Sequence, residues 1–354
     1  MVRFGIIGVG HTVAIAKQHV EALKKLPEVQ ITALLSRTKT RAEDFSKVHC
    51  PSATVCETLE DLLNLVDCVC ICSPNHTHAA YAAAALRAGK GVLCEKPLGG
   101  TPEELSTLRH LSLTCGTPNM VAYNFRYQAP VQRLHALLHS GELGSILWYQ
   151  EQKGGNRLAD PSIPYEWRMD RRSGGGSTMD FCSHMLDHYL YLSGEPIQSL
   201  GLAYTQFRTF VPQRPDGAGG MRTVETEDFS HLCFTGSSGA SIVLTASRVG
   251  IPCERIEVVC TGGMALYTSL QPEQLLVWRK NADGVLPTSP ERLSCPGTLQ
   301  ETYDAQDRAF LDAYLGNRSI HPTLAEGCDL LALLKHTLDT CTKTNTSTTI
   351  GEGI

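Results

Sequence analysis

The amino-acid sequence predicts an α/β chain in two parts: a doubly wound parallel sheet over residues 1–124, then an α+β domain over 125–354 built on a large, mainly antiparallel sheet. Three observations carry that expectation. Strand-length apolar runs alternate with helical patterns up to about residue 124. A Gly-x-Gly turn follows the first run. From about residue 197 to 280, short strands succeed one another with only turns between them.

In the first part the strand runs are RFGIIG, VQITALLS, SATV, DCVCICS, GVLCE and NMVAYNF. Helical segments between them include AIAKQHVEALKKL, LEDLLNLV, HAAYAAAALRAG and PEELSTLRHLS. Gly89 stands where a helix C-terminus closes, and Thr101-Pro102 reads as a cap followed by proline in the first turn. Cys68, Cys70 and Cys72 alternate, so they share one strand face and pack as small hydrophobes. In the second part APVQRLHALLHSGELG is helical, SILWYQEQ is a strand, and SGGGSTMDFCSHMLDHYLYLSG is a helix behind a glycine run. SLGLAYTQF, DFSHLCF, ASIVLTASR, RIEVVCTG, GMALYT and QLLVWRK supply the antiparallel sheet. Two helices, around 301–315 and 323–343, lead into a Thr-rich tail.

The 354 residues are 42% hydrophobic and 19% charged, and the formal net charge of -5 gives no electrostatic basis for binding nucleic acid or an anionic membrane. No two of the 14 cysteines have C-x-x-C spacing, so neither a zinc nor a redox motif is read. The opening MVRFGIIGVGH lacks a secretory pattern, and a reducing cytoplasm is the expected setting.

Chemistry-bearing residues fall at element ends. The Gly8-x-Gly10 turn lies between a strand and a helix, as a dinucleotide fingerprint requires, with His11, Thr12 and Val13 continuing the turn. Gly8 permits the bend and Gly10 lets the backbone approach a pyrophosphate at the helix N-terminus. Val13 stands where the fingerprint has its third glycine, so a glycine turn without a ligand is the alternative. The second strand ends in Ser36 and Arg37, with Lys39 and Arg41 close behind, where an acid would grip ribose hydroxyls. A hydroxyl and a guanidinium suit a 2′-phosphate, so NADP is expected over NAD; the alternative is a solvated basic helix start.

GVLCE delivers Glu95, Lys96 and Pro97 to the edge of the sheet where ligands bind, and a buried lysine is costly unless paired or used. Ser177-x-x-Asp180 reads as a capping box. Asp180 and His184, four apart, share a helix face, so the carboxylate is expected to orient the imidazole and keep its titration within reach of neutral pH. His184 and His188 have the spacing of metal ligands, but no third ligand follows at suitable spacing and no metal is expected.

Taken together, the Gly-x-Gly turn, SPNHTHAAYAAAALRAGKGVLCEKPL, NFRYQAPVQ, and YEWRMDRRSGGG followed by Asp-x-x-x-His resemble the glucose-fructose oxidoreductase, inositol dehydrogenase and rhizopine catabolism family (Gfo/Idh/MocA) over nearly the whole chain. LLSRT, CEKP and EWR look particularly like its NADP-using anhydrofructose reductase branch. The resemblance implies a Rossmann domain joined to a sheet domain, NADP or NAD as cofactor, and hydride transfer to or from a small sugar, cyclitol or related polyol. It implies that Lys96 hydrogen-bonds the reacting oxygen while Glu95 offsets its charge, that His184 accepts and donates the proton, and that Asp180 holds a substrate hydroxyl. Ser73, Pro74, Asn75, His78, Asn124, Trp167 and Arg168 are the further cofactor contacts it implies, with Arg126 in the same position as Asn124. A homodimer or homotetramer through the second sheet is expected on the same ground. Two other classes stay open: a glycosidase whose bound cofactor oxidises the sugar transiently, and a non-catalytic cofactor sensor.

Overall fold

The computed structural model describes residues 1–10 and 13–344. Its first sheet is six parallel strands, β1 (Val2–Ile7), β2 (Val29–Leu35), β3 (Thr54–Cys56), β4 (Cys68–Ile71), β5 (Gly91–Glu95) and β6 (Asn119–Ala122), in the order β3-β2-β1-β4-β5-β6. That order reverses between β1 and β4 and opens a crevice beyond their C-terminal ends. Helices α1 (Val13–Lys24), α2 (Lys39–His49), α3 (Leu59–Leu65), α4 (His78–Arg87) and α5 (Pro102–Thr114) make the crossovers. β4 and β5 are buried along their whole length, as strands covered on both faces must be. Cys68, Cys70 and Cys72 sit in one core with Phe4 and Leu93, in line with their alternation. The Thr101 cap is present as a full capping box with Glu104. α2 escapes a periodicity reading because KTRAEDFSKVH buries only Ala42, Phe45 and Ser46.

The second part begins with α6 (Ala129–His139) and β7 (Ile146–Gly154), then α7 (Ser183–Ser193), β8 (Gly201–Arg208), and a small hairpin of β9 (Gln213–Pro215) and β10 (Met221–Thr223). It continues through β11 (Phe229–Thr235), β12 (Ser241–Ser247), β13 (Cys253–Cys260), β14 (Gly263–Thr268), β15 (Gln274–Arg279) and β16 (Glu291–Ser294), and ends in α8 (Leu299–Tyr314) and α9 (Leu324–Thr344). The large sheet runs β16-β15-β14-β13-β7-β12-β11-β8. Every neighbour pair is antiparallel except β7 with β12, which is parallel. The hairpin and β16 carry no sequence signal of their own; they are short and largely exposed.

One face of this sheet packs on α7, with Tyr149, Ile242, Leu244, Ile256 and Val258 meeting Met185, Leu186 and Tyr189 in a single core. α8 returns to the first sheet, where Phe310 meets Phe4 edge-on at 6.0 Å between ring centroids. Among the described residues no helix is long and apolar enough to cross a membrane. The layout brings the C-terminal ends of β4 and β5 against the start of α7 and the end of β7.

Candidate active site

A cradle of bare backbone lies at the end of β1. Gly8 has φ 102°, and a Cβ there would run into the Ser73 backbone that crosses the turn. A Cβ on Gly10 would meet Ser36 Oγ at 2.6 Å and Arg41 Cβ at 2.9 Å, so these side chains close over bare backbone. Arg41 Nη1 also donates to the Gly10 carbonyl at 3.2 Å. Arg37 is exposed and makes no ion pair with a described residue, whereas Lys39 is tied to Glu57. This geometry fits a dinucleotide: a bare glycine turn with a hydroxyl and two guanidiniums at its rim. His11, Thr12 and the Val13 side chain lie outside the described residues.

The loop after β4 forms the next wall. Ser73 Oγ and Thr77 Oγ1 are 2.7 Å apart, Pro74 caps a short helical turn, and Asn75 Nδ2 donates across to the Ser173 carbonyl at 3.3 Å. His78 does not face this opening. Its ring is buried, with Nδ1 3.0 Å from the Pro97 carbonyl and Nε2 2.7 Å from the Ser73 carbonyl. It therefore clamps two loop backbones together, a correction to its expected ligand contact. Asn124 is also buried and donates to Thr302 Oγ1 at 3.2 Å.

Lys96 emerges from β5 and reaches the start of α7. Its Nζ lies 3.4 Å from Asp180 Oδ1 and 3.3 Å from the Asp180 carbonyl. Arg248, at the end of β12, donates from Nη2 to Asp180 Oδ2 at 3.0 Å, and Arg168 Nε stands 3.8 Å from the same oxygen. Burial alone would push the Asp180 carboxyl up; Lys96, Arg248 and Arg168 overcome it and hold the group well below the usual carboxylate range. Asp180 is thus a permanent anion and can only accept hydrogen bonds. Arg168 stacks on Trp167 at 4.4 Å from the ring, which places both beside this anion.

Two sequence expectations about Asp180 fail here. Ser177 makes no capping bond, because its hydroxyl goes to Ser230 Oγ at 2.6 Å; Glu227 Oε1 instead accepts from the Thr178 amide at 2.9 Å. Gly176 (φ 102°) is the glycine this requires, since a Cβ would displace the Glu227 carboxylate. Nor does Asp180 orient His184. Its oxygens are drawn to cations, which outcompete a neutral imidazole. Asp180 lies in a π-helical turn, Thr178–Cys182, ahead of α7, a form that recurs at functional sites.

His184 is held by rings instead. It stacks on Phe125 at 4.3 Å and meets Tyr123 edge-on at 5.6 Å. Nδ1 is buried and has no hydrogen-bond partner among the described residues. Burial, then the charges of Lys96, Lys153 and His188, push its proton affinity well below the ordinary histidine range, so titration near neutrality is overturned. His188 faces Glu151, Nδ1 to Oε1 at 3.1 Å, and that carboxylate outweighs burial to raise it.

Glu95 also departs from expectation. Instead of offsetting the Lys96 ammonium, it accepts from the Lys96 backbone amide at 3.1 Å and pairs with His19 Nε2 at 3.1 Å. His19, from α1, is gripped on its other nitrogen by Asp307 of α8 at 3.0 Å. This buried chain fixes α1, the β5 end and α8 to one another. Arg126 is likewise committed, bidentate to Asp187 at 2.6 Å on both arms. That pair walls a cavity of about 800 Å³ whose lining includes neither Lys96, Asp180 nor His184.

Among known proteins, the NAD-binding Rossmann model of the Gfo/Idh/MocA oxidoreductase family matches residues 2–123, and the family's C-terminal domain model matches residues 131–266. Levoglucosan dehydrogenase of Pseudarthrobacter phenanthrenivorans is 33% identical over 157 residues, 44% of this chain and 39% of that protein. The scyllo-inositol 2-dehydrogenase (NADP(+)) of Bacillus subtilis is 30% identical over 198 residues, 55% of this chain and 52% of that protein. The chain thus spans about half or less of the length of these curated relatives. Similar solved folds include an oxidoreductase domain protein from Kribbella flavida, with TM-score 0.88 at 22% identity over 98% of both chains. Another is levoglucosan dehydrogenase in complex with NADH and levoglucosan, with TM-score 0.86 at 22% identity over 97% of both chains. With both of the family's domains matched in order along one chain, this protein belongs to the Gfo/Idh/MocA oxidoreductase family.

Proposed function

We propose that this chain is a nicotinamide-dependent oxidoreductase that moves hydride between the cofactor and a CH–OH carbon of a sugar, cyclitol or related polyol. The observation that carries the reading is the convergence of Lys96, Asp180 and His184 where the strand ends of the first sheet meet α7. The nicotinamide, when bound, supplies the hydride acceptor or donor. In oxidation the His184 imidazole, neutral between its two aromatic neighbours, takes the hydroxyl proton. The Lys96 ammonium hydrogen-bonds the same oxygen as its charge builds. Asp180, ionised at all working pH, accepts from a neighbouring hydroxyl and fixes the sugar ring. Levoglucosan and scyllo-inositol, named with the relatives, are polyols of this class. The test is a panel of anhydrosugars, inositols and aldoses incubated with NADP or NAD. One equivalent of reduced nicotinamide per turnover is expected, and cleavage of a glycoside without net reduction would contradict it.

For the cofactor we propose NADP, supported by Ser36, by Arg37, which has no ion pair among the described residues, by Arg41 over Gly10, and by LLSRT, CEKP and EWR of the NADP-using branch. Arg37→Ala should weaken NADP about ten- to a hundredfold, the loss of one charge-assisted contact, and leave NAD unchanged. Equal losses in a binding titration would refute it. We propose a homodimer or homotetramer as well. Trp148, Val259, Met264 and Trp278 are paired in register across β7, β13, β14 and β15 and stay half-exposed on the sheet face away from α7. Light scattering that gives a monomer at micromolar concentration would rule it out.

A further inference from the structure

β7 places a second ammonium close to the reacting centre. Alternation along the strand turns Tyr149, Glu151 and Lys153 to the face that packs on α7, and Lys153 is the last of them before the strand ends. Its side chain is mostly buried, with Nζ 3.0 Å from Glu254 Oε1 of β13 and 3.7 Å from the centroid of the Phe125 ring. Phe125 is the ring on which His184 stacks, at 4.3 Å and 25° between planes. Ammonium and imidazole therefore both pack against the same phenyl ring. The result is a stack in which the phenyl ring is shared by cation and imidazole.

We propose that Lys153, docked as a fixed cation against Phe125, is a positioning residue for proton transfer at His184, and that Glu254 holds it there. The inference rests on the reading of His184 as the proton acceptor. The stack does two things. It fixes the imidazole plane through Phe125, and it puts a like charge where an imidazolium would have to form, which disfavours the protonated ring.

The groups facing His184 from every side support this division of labour. Lys96 approaches from β5 and Lys153 from β7; His188 lies one turn along α7, paired with Glu151 of β7. Tyr123 presents a ring edge, and Asp180 spends its carboxylate on Lys96 and Arg248. Glu254 is the anion nearest Lys153, and it leaves Lys153 tethered without placing a carboxylate on the imidazole. No described acid hydrogen-bonds His184 to favour its protonation. A lysine at this point therefore acts on the same equilibrium as Lys96 without needing to touch the reacting oxygen.

The experiment compares wild type, Lys153→Met and Lys153→Arg by the pH dependence of kcat/KM for polyol oxidation. Lys153→Met should move the acid limb upward by about half a unit to one unit, as loss of a nearby like charge requires. Lys153→Arg, which keeps the cation, should restore the wild-type limb. A raised KM with an unmoved limb would make Lys153 a substrate contact and overturn the proposal; so would an equal limb shift in both variants. If wild type oxidises no member of the panel, the functional reading is what has failed. His184 can then be titrated by NMR in wild type and Lys153→Met without substrate, where the same upward shift is expected and coincident titrations refute the proposal.

Discussion

His184 and His188 occupy successive turns of α7, and both are shut away from solvent, yet their surroundings are opposite. His184 packs against two aromatic rings and lies within the fields of Lys96 and Lys153. His188 faces the sheet and meets Glu151, itself bonded to Tyr149 at 2.6 Å. The same side chain on the same helix is therefore pushed down in one place and up in the other. Burial lowers both rings alike, and the difference between them comes chiefly from the charges that β5 and β7 bring across. One ring has no acid hydrogen-bonded to it among the described residues; the other is paired with a buried carboxylate.

That contrast can be broken at four points. His184→Ala should remove about two to four orders of magnitude in oxidation rate while the protein stays folded, as expected for loss of a general base. Steady-state kinetics with an intact circular dichroism spectrum checks this. Lys96→Met should cost on the order of a hundred- to a thousandfold in turnover with cofactor binding retained, and near-normal turnover would make Lys96 a bystander. His188→Ala should act on stability instead. It leaves Glu151 with one partner in a dry interior, a loss of about 3–5 kcal/mol in denaturant unfolding. Its activity per folded molecule should fall far less than that of His184→Ala. Glu227→Gln, which weakens the cap at Thr178, should cost about 0.5–2 kcal/mol, and no change would place the cap elsewhere.

The pH dependence of stability sharpens the same contrast. His188 is raised in the fold, so its ion pair contributes fully below an unfolded value of about 6.5 and is lost as pH rises through the folded value. His184 is lowered, so only the unfolded chain takes its proton below about pH 6.5, and its contribution makes the fold less stable as pH falls. Urea unfolding from pH 5 to 8 should show a flatter acid side in His184→Ala and a flatter neutral-to-alkaline side in His188→Ala, each compared with wild type.

The first sheet was legible because its strands are continuous apolar runs and its helices have clear periods; α2, with a single large buried side chain, was not. Lys96, Asp180 and His184 were legible from motifs. Their partners were not, because Arg248, Lys153 and Glu227 come from strand ends and flanking loops distant in sequence. One signal was open to reading: YQEQKG places Glu151 and Lys153 at the period-2 positions of Tyr149, and charged residues on the buried face of a strand demand partners. The capping-box reading of Ser177 failed for a similar reason, since a local match cannot reveal that a distant carboxylate caps more strongly.

The central claim, that neighbours across the fold divide two adjacent histidines into a proton acceptor and a structural cation, is tested most directly by following both imidazoles in one NMR titration. Histidine-labelled protein, assigned through His184→Ala and His188→Ala, would be titrated from pH 5 to 8. The expected result is a His184 ring that stays neutral through the slightly acidic range and a His188 ring that keeps its proton above the ordinary histidine midpoint. Two rings that titrate together near pH 6.5, or in the reverse order, would contradict it.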